Sequence, residues 1–573
     1  MADNKSTEKD SLQTQDEKNK MPQLFIKELT IENFKCFRGK FSLKLNEGLS
    51  ILVGDNEAGK STILEAIHLT LSGWLNGRYL KNELTQYLFN NEVVAEYLAN
   101  INDKEKQEKA VLPHILIEMF IGGEDLPLFQ GDGNSEGKKE CCVSLKIAFS
   151  DKYQSAYAEL VKSGEIKTLP VEYYEIDWKT CARGNITSSE SIPIKSDLID
   201  SSNYRYQNGS DIYISHIIHN HLNEEEIVAI SQAHRKMRDV FTDDLAVKNI
   251  NTKIETATSI SSKKIKLSVE LSSKNAWESS LMTYLDDVPF HYIGKGEQCM
   301  VKTKLALSKV SAQKANMLLL EEPENHLSHS KLNALIKDIQ DANDSKQIVI
   351  STHSSFVANK LGLGSLILLN VDDAIKKRET VRFDDLEAGT KRFFEKLAGY
   401  DTLRLLLCKK AILVEGDSDE LVVQKAYKKQ NSGNLPIQQQ VDVISVGTSF
   451  LRFLEIAEKI KKPVAVVTDN DGKHTDLQEK YKNYIDGNKK DNIDICFDTD
   501  DSLYSLEPQI VNANKASLDT LRSVLDITAE KYPDEQSIIK FMESPSNKTE
   551  CALKIFDTDL DIKFPQYILD AIK

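Results

Sequence analysis

No apolar run of 18 or more residues occurs in the 573-residue chain, so the sequence offers no membrane-spanning helix. The start, Met1 to about Met21, also lacks an apolar stretch. Its run of Lys, Asp, Gln and Ser reads as a disordered tail over residues 1–22 rather than a secretory signal. Cysteine is sparse: of eight, only Cys141 and Cys142 are neighbours. Without a C-x-x-C pair or a Cys/His cluster there is no zinc site and no disulfide framework to propose. A reduced, cytoplasmic setting is the expectation. Internal repeats and sustained heptads are missing, which excludes a solenoid and a long coiled-coil arm. An excess of positive charge is missing too. The net charge is -15, whereas duplex binding is driven by neutralising phosphates, so any nucleic-acid surface has to be local. The stretch Ala233–Lys274 gathers Arg235, Lys236, Arg238, Lys248, Lys253, Lys263, Lys264, Lys266 and Lys274. It reads equally as a positive surface and as a solvated helix-and-strand face.

What is present has room for about four units of ordinary domain size. From Gln23 to Val53 apolar and polar residues alternate, predicting strands that lead into a buried strand, Ile51-Leu52-Val53. A helix is expected from Lys60, with Ile63, Leu64, Ala66 and Ile67 facing inward. Further strands are expected at Ile115–Phe120, Met317–Leu320 and Ile348–Ser351. The region of about 124–275 is irregular. A boundary falls between Gly389 and Leu407, dividing the chain into 23–400 and 401–573; beyond it three strands alternate with two helices.

Between Val53 and the first helix lies Gly54-Asp55-Asn56-Glu57-Ala58-Gly59-Lys60-Ser61, a complete G-x-x-x-x-G-K-[ST]. Glycines let backbone N–H groups curl around phosphate oxygens, and the helix N-terminus adds the positive end of its dipole. The nucleotide-binding candidates are Gly54, Asn56, Gly59, Lys60, Ser61 and Thr62. Lys60 is expected to reach the β- and γ-phosphates and Ser61 to ligate Mg²⁺. The apolar strand Leu318-Leu319-Leu320 ends in Glu321-Glu322-Pro323-Glu324. Paired carboxylates there divide the work of in-line attack on a γ-phosphate: Glu321 for Mg²⁺, Glu322 for the water.

A second constellation follows. Ala411–Val414 ends in Glu415-Gly416-Asp417-Ser418-Asp419; a second strand is Val441–Val446; a third, Val464–Val467, ends in Thr468-Asp469-Asn470-Asp471. Parallel strands deliver their C-terminal ends to one sheet edge, so Glu415, Asp469 and Asp471 are expected to converge. Hard oxygens without Cys or His select Mg²⁺ or Mn²⁺, and crowded carboxylates need such an ion to offset their repulsion.

These residues carry a resemblance. Asn33-Phe34-Lys35-Cys36-Phe37 looks like the N-terminal signature of SMC- and RecF-like ABC ATPases. Gly294-Lys295-Gly296-Glu297-Gln298 resembles a degenerate signature loop, Glu324-Asn325-His326-Leu327 a D-loop, and His353 the switch histidine that contacts the γ-phosphate. Two departures stand out. Glu321 replaces the usual Walker B Asp, and Glu118 stands where a Q-loop glutamine is sought; slow turnover, with ATP acting as a gate, is the expectation. Glu-Gly followed by Asp-x-Asp on β-α-β-α-β resembles a Toprim domain. An SMC-like ATPase joined to a Toprim domain resembles the OLD (overcoming lysogenization defect) nucleases, a family that includes the Gabija nuclease subunit. That resemblance implies an α/β fold: an ABC-type P-loop ATPase domain with a dimerisation insert at about 124–275, followed by a Rossmann-like Toprim domain. It implies Asp419 and Glu507 as further metal ligands and Lys548 as the group that stabilises the cleaved phosphodiester. ATP with Mg²⁺, a two-metal Mg²⁺ or Mn²⁺ site, DNA, a homodimer or larger homo-oligomer and a role in anti-phage defence are implied with it. An accessory partner, such as a helicase or a retron reverse transcriptase with its RNA–DNA, is compatible. The rivals are a RecF- or SMC-like DNA-repair clamp without cleavage and a topoisomerase-like Toprim enzyme, which needs a tyrosine nucleophile.

Overall fold

The computed structural model describes residues 24–75, 78–123, 125–164, 166–200, 206–207, 210–211, 218, 222–257, 267, 282–307, 316–342, 346–371, 377–397, 399 and 401–573. The tail expected at 1–22 lies outside them. Contacts divide the chain into two units: Met1–Thr352 with Leu369–Thr380, and His353–Leu368 with Val381–Lys573. No helix among the described residues is long and apolar enough to cross a membrane.

The first unit is built on strands β1 (Phe25–Glu32), β2 (Lys40–Lys44), β3 (Leu49–Gly54), β4 (Ile115–Gly122), β5 (Glu140–Phe149), β6 (Tyr174–Thr180), β7 (Ser196–Asp200), β8 (Met317–Glu321) and β9 (Gln347–Ser351). One sheet is antiparallel, in the order β2-β1-β4-β5 with β6 also on β5. In β2 exposed and buried residues alternate strictly, as a strand with one wet face requires. The other sheet runs β7-β8-β9-β3, all parallel, with Leu319 opposite Val349 and Ile350 opposite Ile51. The chain through Leu369–Thr380 extends it past β3. All six residues of β3 are buried, which is why its apolar run is continuous rather than alternating. Helix α1 (Lys60–Ser72) packs on β7 and β8 of one sheet and on β4 of the other, burying Ile63, Leu64, Ala66 and Ile67 as expected.

The stretch read from sequence as an insert at about 124–275 supplies β5, β6 and β7 to these sheets. Beyond Asp200 it includes two helices, α2 (Glu224–Asp243) and α3 (Leu245–Ala257). Of the basic residues noted there, Arg235 and Lys236 are exposed, Arg238 pairs with Asp239 and Lys248 with Asp243. Lys263, Lys264, Lys266 and Lys274 lie outside the described residues.

One expectation is overturned. The scattered cysteines suggested no disulfide, yet Cys142 of β5 is bonded to Cys181, just past the end of β6, at a Cα–Cα separation of 5.1 Å. The two are 39 residues apart in sequence, and only the antiparallel pairing of β5 with β6 makes them neighbours.

The second unit carries a four-stranded parallel sheet, β10 (Lys410–Val414), β11 (Val441–Ser445), β12 (Val464–Val467) and β13 (Ile493–Cys496), in the order β11-β10-β12-β13. After β10 the chain passes through α5 (Asp417–Gln430) to one side, then returns through α6 (Phe450–Ile460) to the other. Here α4 is reserved for Lys295–Leu307 of the first unit. The order therefore reverses between β10 and β12, and their C-terminal ends flank a topological switch point. Three later helices, α7 (Leu506–Ala513), α8 (Lys548–Asp557) and α9 (Gln566–Ala571), contribute to the same hydrophobic core as Val414, Val467 and Ile412.

Denatured without reductant, the chain is expected to show six titratable thiols, rising to eight after reduction, because the other six cysteines are free. Thiol titration showing eight before reduction refutes the pairing.

Candidate functional site

The phosphate loop is shaped by two glycines for different reasons. At Gly54 an added Cβ would lie 2.7 Å from the Leu369 carbonyl oxygen, so close backbone approach forbids a side chain. Gly59 sits in the left-handed region at φ 107°, and a Cβ there would come within 2.8 Å of the Phe37 ring. Lys60 opens α1 at 6 % exposure and folds back over its own loop, donating to the Gly54 carbonyl (2.9 Å) and the Asp55 carbonyl (3.1 Å). Burial lowers its pKa, against the fields of Glu322, Asp55, Glu321 and Glu324. Ser61 and the neighbouring Asn56 are exposed, and Thr62 accepts a hydrogen bond from the Cys36 thiol at 3.5 Å.

The motif Asn33–Phe37 thereby gains a mechanical role. Asn33 and Lys35 both have positive φ (55° and 49°); Asn33 is fixed by the Gly39 N–H (2.9 Å) and Lys35 pairs with Glu65 of α1. Phe37 is thus pressed on Gly59. Over its ring lies Arg378, 5.1 Å from the centroid, whose guanidinium also donates to the Ala58 carbonyl (3.1 Å). The sequence reading missed Arg378, because a lone arginine far along the chain has no motif around it.

Glu321 stands at the end of β8 in hydrogen-bond contact with Ser61. Burial pushes its pKa up to about 7, Asp200, Glu65 and Glu322 push the same way, and the Ser61 bond opposes them. Glu322 is held in a left-handed conformation (φ 44°) by donating its N–H to Ser351 (2.9 Å) and accepting from Asn325 (2.7 Å). Glu324 accepts from Thr352 at 2.6 Å. So Gly54, Gly59, Lys60, Ser61, Thr62, Glu321 and Glu322 meet at the ends of β3 and β8. In α4, Gly296 abuts the D-loop-like segment: a Cβ there would stand 2.2 Å from the His326 carbonyl, while Gly294 faces open space. His353 is exposed, follows Thr352, and belongs to the second unit. Glu118 is buried and bound by the Ser135 N–H (2.8 Å) and hydroxyl (2.5 Å), so its charge is spent inside the antiparallel sheet.

In the second unit Glu415 follows β10 and Asp469 follows β12, on the two strands that flank the switch point. Asp469 has its pKa raised to about 8, by burial first and then by Asp419, Glu415 and Glu507, with Lys548 opposing. Asp419 is raised to about 6, again by burial, with its Gly416 hydrogen bond (3.0 Å) opposing. Glu415 is raised by burial and by Asp471, and relieved by Lys480 and Lys548. Glu415 thus interacts electrostatically with Asp471, Asp419 and Asp469. Glu507, 3 % exposed, accepts from the Ser505 hydroxyl (2.9 Å) and pairs with Lys548 at 3.3 Å. Asn470 anchors the Asp-Asn-Asp turn by donating to the Asp498 and Asp500 carbonyls, both at 2.9 Å, and Asp471 adopts φ 50°. Ser505, Asn470 and Lys480 were not foreseen; only Asn470, between the two aspartates, had a signal.

Among the described residues no three carboxylate, imidazole or thiol side chains are drawn together tightly enough to chelate one ion. Asp419 turns instead to the Gly416 N–H, and Glu507 to the Ser505 hydroxyl and Lys548. The donor set nevertheless fits Mg²⁺ or Mn²⁺, being all oxygen, with Asp469 half-buried among other acids that raise its pKa further.

Residues 28–397 match the family model described as "AAA domain", and residues 406–471 match "Overcoming lysogenization defect protein-like, TOPRIM domain". The chromosome partition protein Smc of Desulfitobacterium hafniense (strain Y51) is 46% identical over 48 residues, 8% of this chain and 4% of that protein. The structural maintenance of chromosomes protein 3 homolog of Plasmodium falciparum (isolate 3D7) is 25% identical over 113 residues, 18% of this chain and 9% of that protein. The chain thus spans under a tenth of the length of either relative. Among solved structures, the SMC head domain from Thermotoga maritima is 11% identical with a TM-score of 0.29, covering 62% of this chain and 98% of that one. The recombination mediator protein RecF bound to ATP is 11% identical with a TM-score of 0.33, covering 63% and 100%. Scores this low leave the assignment to the family models.

The raised carboxylates make stability depend on pH with a definite sign. A carboxyl whose folded pKa exceeds its unfolded value, as Asp469 does at about 8, keeps a proton the unfolded chain releases, so stability falls as pH rises through that window. Between about pH 6 and about pH 8 the melting temperature of the metal-free chain is expected to fall, and millimolar Mg²⁺ or Mn²⁺ to restore more of it at the upper end. Asp469→Asn is expected to flatten both responses; an unchanged metal response in that variant, followed by scanning calorimetry, contradicts the assignment.

Proposed function

Because the chain belongs to the AAA domain family over most of its length and continues into an OLD-like Toprim domain, we propose that it is a divalent-metal-dependent DNA endonuclease governed by an ATPase. The observation that carries this reading is the meeting of Glu415 and Asp469 at adjacent parallel strand ends, with Asp419, Glu507 and Lys548 in the same electrostatic field. Such an arrangement suits phosphodiester chemistry, which needs concentrated negative charge to hold cations and a positive group for the phosphate.

Glu415, Asp419, Asp469, Asp471 and Glu507 would hold Mg²⁺ or Mn²⁺. Bound there, the ions supply Lewis-acid activation of water and of the leaving oxygen. Lys548, half-exposed and paired with Glu507, would offset charge on the scissile phosphate. In the first unit Lys60 would exchange its two carbonyl partners for β- and γ-phosphate oxygens. Ser61 and Glu321 would hold the nucleotide's Mg²⁺, Glu322 would orient water, and His353 would reach the γ-phosphate. Gly294 and Gly296 would close on nucleotide held by a second copy. A homodimer or larger homo-oligomer is supported by apolar residues left exposed on α2 and α3, among them Val240 (72 %) and Leu245 (78 %). The nucleotide state would then gate DNA access, in a cytoplasmic anti-phage role.

Supercoiled plasmid incubated with Mg²⁺ or Mn²⁺, with and without ATP, tests the reading. Asp469→Ala is expected to lower nicking at least about 100-fold. Lys60→Ala is expected to change nucleotide turnover and the ATP response while leaving the metal site able to cut. Nicking by Asp469→Ala at the wild-type rate refutes the site. Retained DNA binding with no cleavage in either metal favours a RecF- or SMC-like clamp.

A further inference from the structure

The last helix, α9, buries Tyr567, Ile568 and Ala571 against β12 and β13. Ile568 and Ala571 are what a docking helix requires; Tyr567 brings a hydroxyl as well. That residue is 5 % exposed, and its hydroxyl has no hydrogen-bond partner among the described residues. Buried tyrosine hydroxyls normally find a partner, and phenylalanine would fill the same space without leaving one unmet. Burial acts on this hydroxyl first, and the acids Asp469, Asp419 and Glu507 act on it next, Asp469 foremost; the strand on which α9 packs, β12, is the one that leads to Asp469. Two of those acids are already engaged, Asp419 with the Gly416 N–H and Glu507 with Ser505 and Lys548. The side chain of Asp469 makes no hydrogen bond among the described residues. An unmet buried donor on the core side of β12 thus lies in the field of a half-buried acid, just past the end of that strand, whose side chain accepts no hydrogen bond among the described residues.

We propose that Tyr567 is a positioning residue of the metal site, its hydroxyl donating to the Asp469 carboxylate when that carboxylate ligates a divalent ion. The inference rests on the metal-site reading above and adds a role for the far end of the chain. Groups that orient a ligating carboxylate by hydrogen bonding typically change metal affinity 10–100-fold when lost. A tyrosine on the core side would hold Asp469 without touching substrate.

The test is direct Mn²⁺ binding to the full chain without nucleotide, followed by the electron paramagnetic resonance of free Mn²⁺, for wild type, Tyr567→Phe and Asp469→Asn. Tyr567→Phe is expected to weaken binding about 10-fold, while its metal-free melting temperature stays level or rises because an unpaired buried hydroxyl has been removed. Affinity within about twofold of wild type overturns the role of Tyr567 and leaves the metal site standing. Binding that Asp469→Asn does not weaken overturns the metal site and this proposal together. Should Tyr567→Phe fail to fold, wild type is expected to give a red-shifted tyrosine difference spectrum on Mg²⁺ addition, absent in Asp469→Asn. A featureless wild-type spectrum overturns the proposal.

Discussion

Burial of carboxylates that also repel one another, at the open end of a parallel sheet, is the constraint around which the second unit is arranged. Parallel strands place every chain exit on one edge, and the reversal of strand order between β10 and β12 leaves that edge uncovered. Glu415 and Asp469 leave the sheet there, and Asp419 and Glu507 are brought in by the helices that follow. Asp469 holds its proton most firmly of them, its pKa lifted to about 8 by burial first and by the neighbouring acids second. The fold opposes the repulsion only in part, through Lys548 beside Glu507 and the Gly416 N–H on Asp419. What remains uncompensated is the capacity to bind cations.

The phosphate loop solves the opposite problem with the same geometry. Again a parallel strand, β3, delivers the chain to an open edge, but here a glycine turn and the start of α1 present N–H groups and Lys60 to an anion. Packing determines which residues can stand there. Phe37 occupies the space beside Gly59, and Arg378 braces both the ring and the loop carbonyl of Ala58. The residues Asn33–Phe37 therefore support the loop from behind Gly59 and the first turn of α1.

How much of this was legible depended on whether the information was local. The phosphate loop, the Glu321–Glu322 pair and the strands ending in Glu415 and Asp469 are written in contiguous residues, each an apolar run terminated by glycine or acid, and periodicity exposes them. Strand β7 escaped notice because Ser196-Asp197-Leu198-Ile199-Asp200 is short and polar at both ends, and only its pairing with β8 makes it a strand. Strand β13, Ile-Asp-Ile-Cys, escaped because four residues are too few to establish an alternation, and only its pairing with β12 marks it. The Cys142–Cys181 bond, the Arg378 brace and the approach of Tyr567 to the acids are products of long-range folding, and nothing in a sequence window announces them.

Glu321 and Asp469 show how far one physical device has been used twice. Each is an acid at the end of a buried parallel strand, and each has its pKa lifted to the neutral range by burial before any neighbour acts, to about 7 and about 8 respectively. A hydroxyl opposes the lift at Glu321, through Ser61, whereas at Asp469 the opposing group is the cation Lys548. The difference follows from what each strand end has to face. Beside the phosphate loop, positive charge is already present in Lys60, so a neutral partner suffices to orient the acid. In the second unit four carboxylates share one region, and only another charge can hold them together between encounters with metal ions.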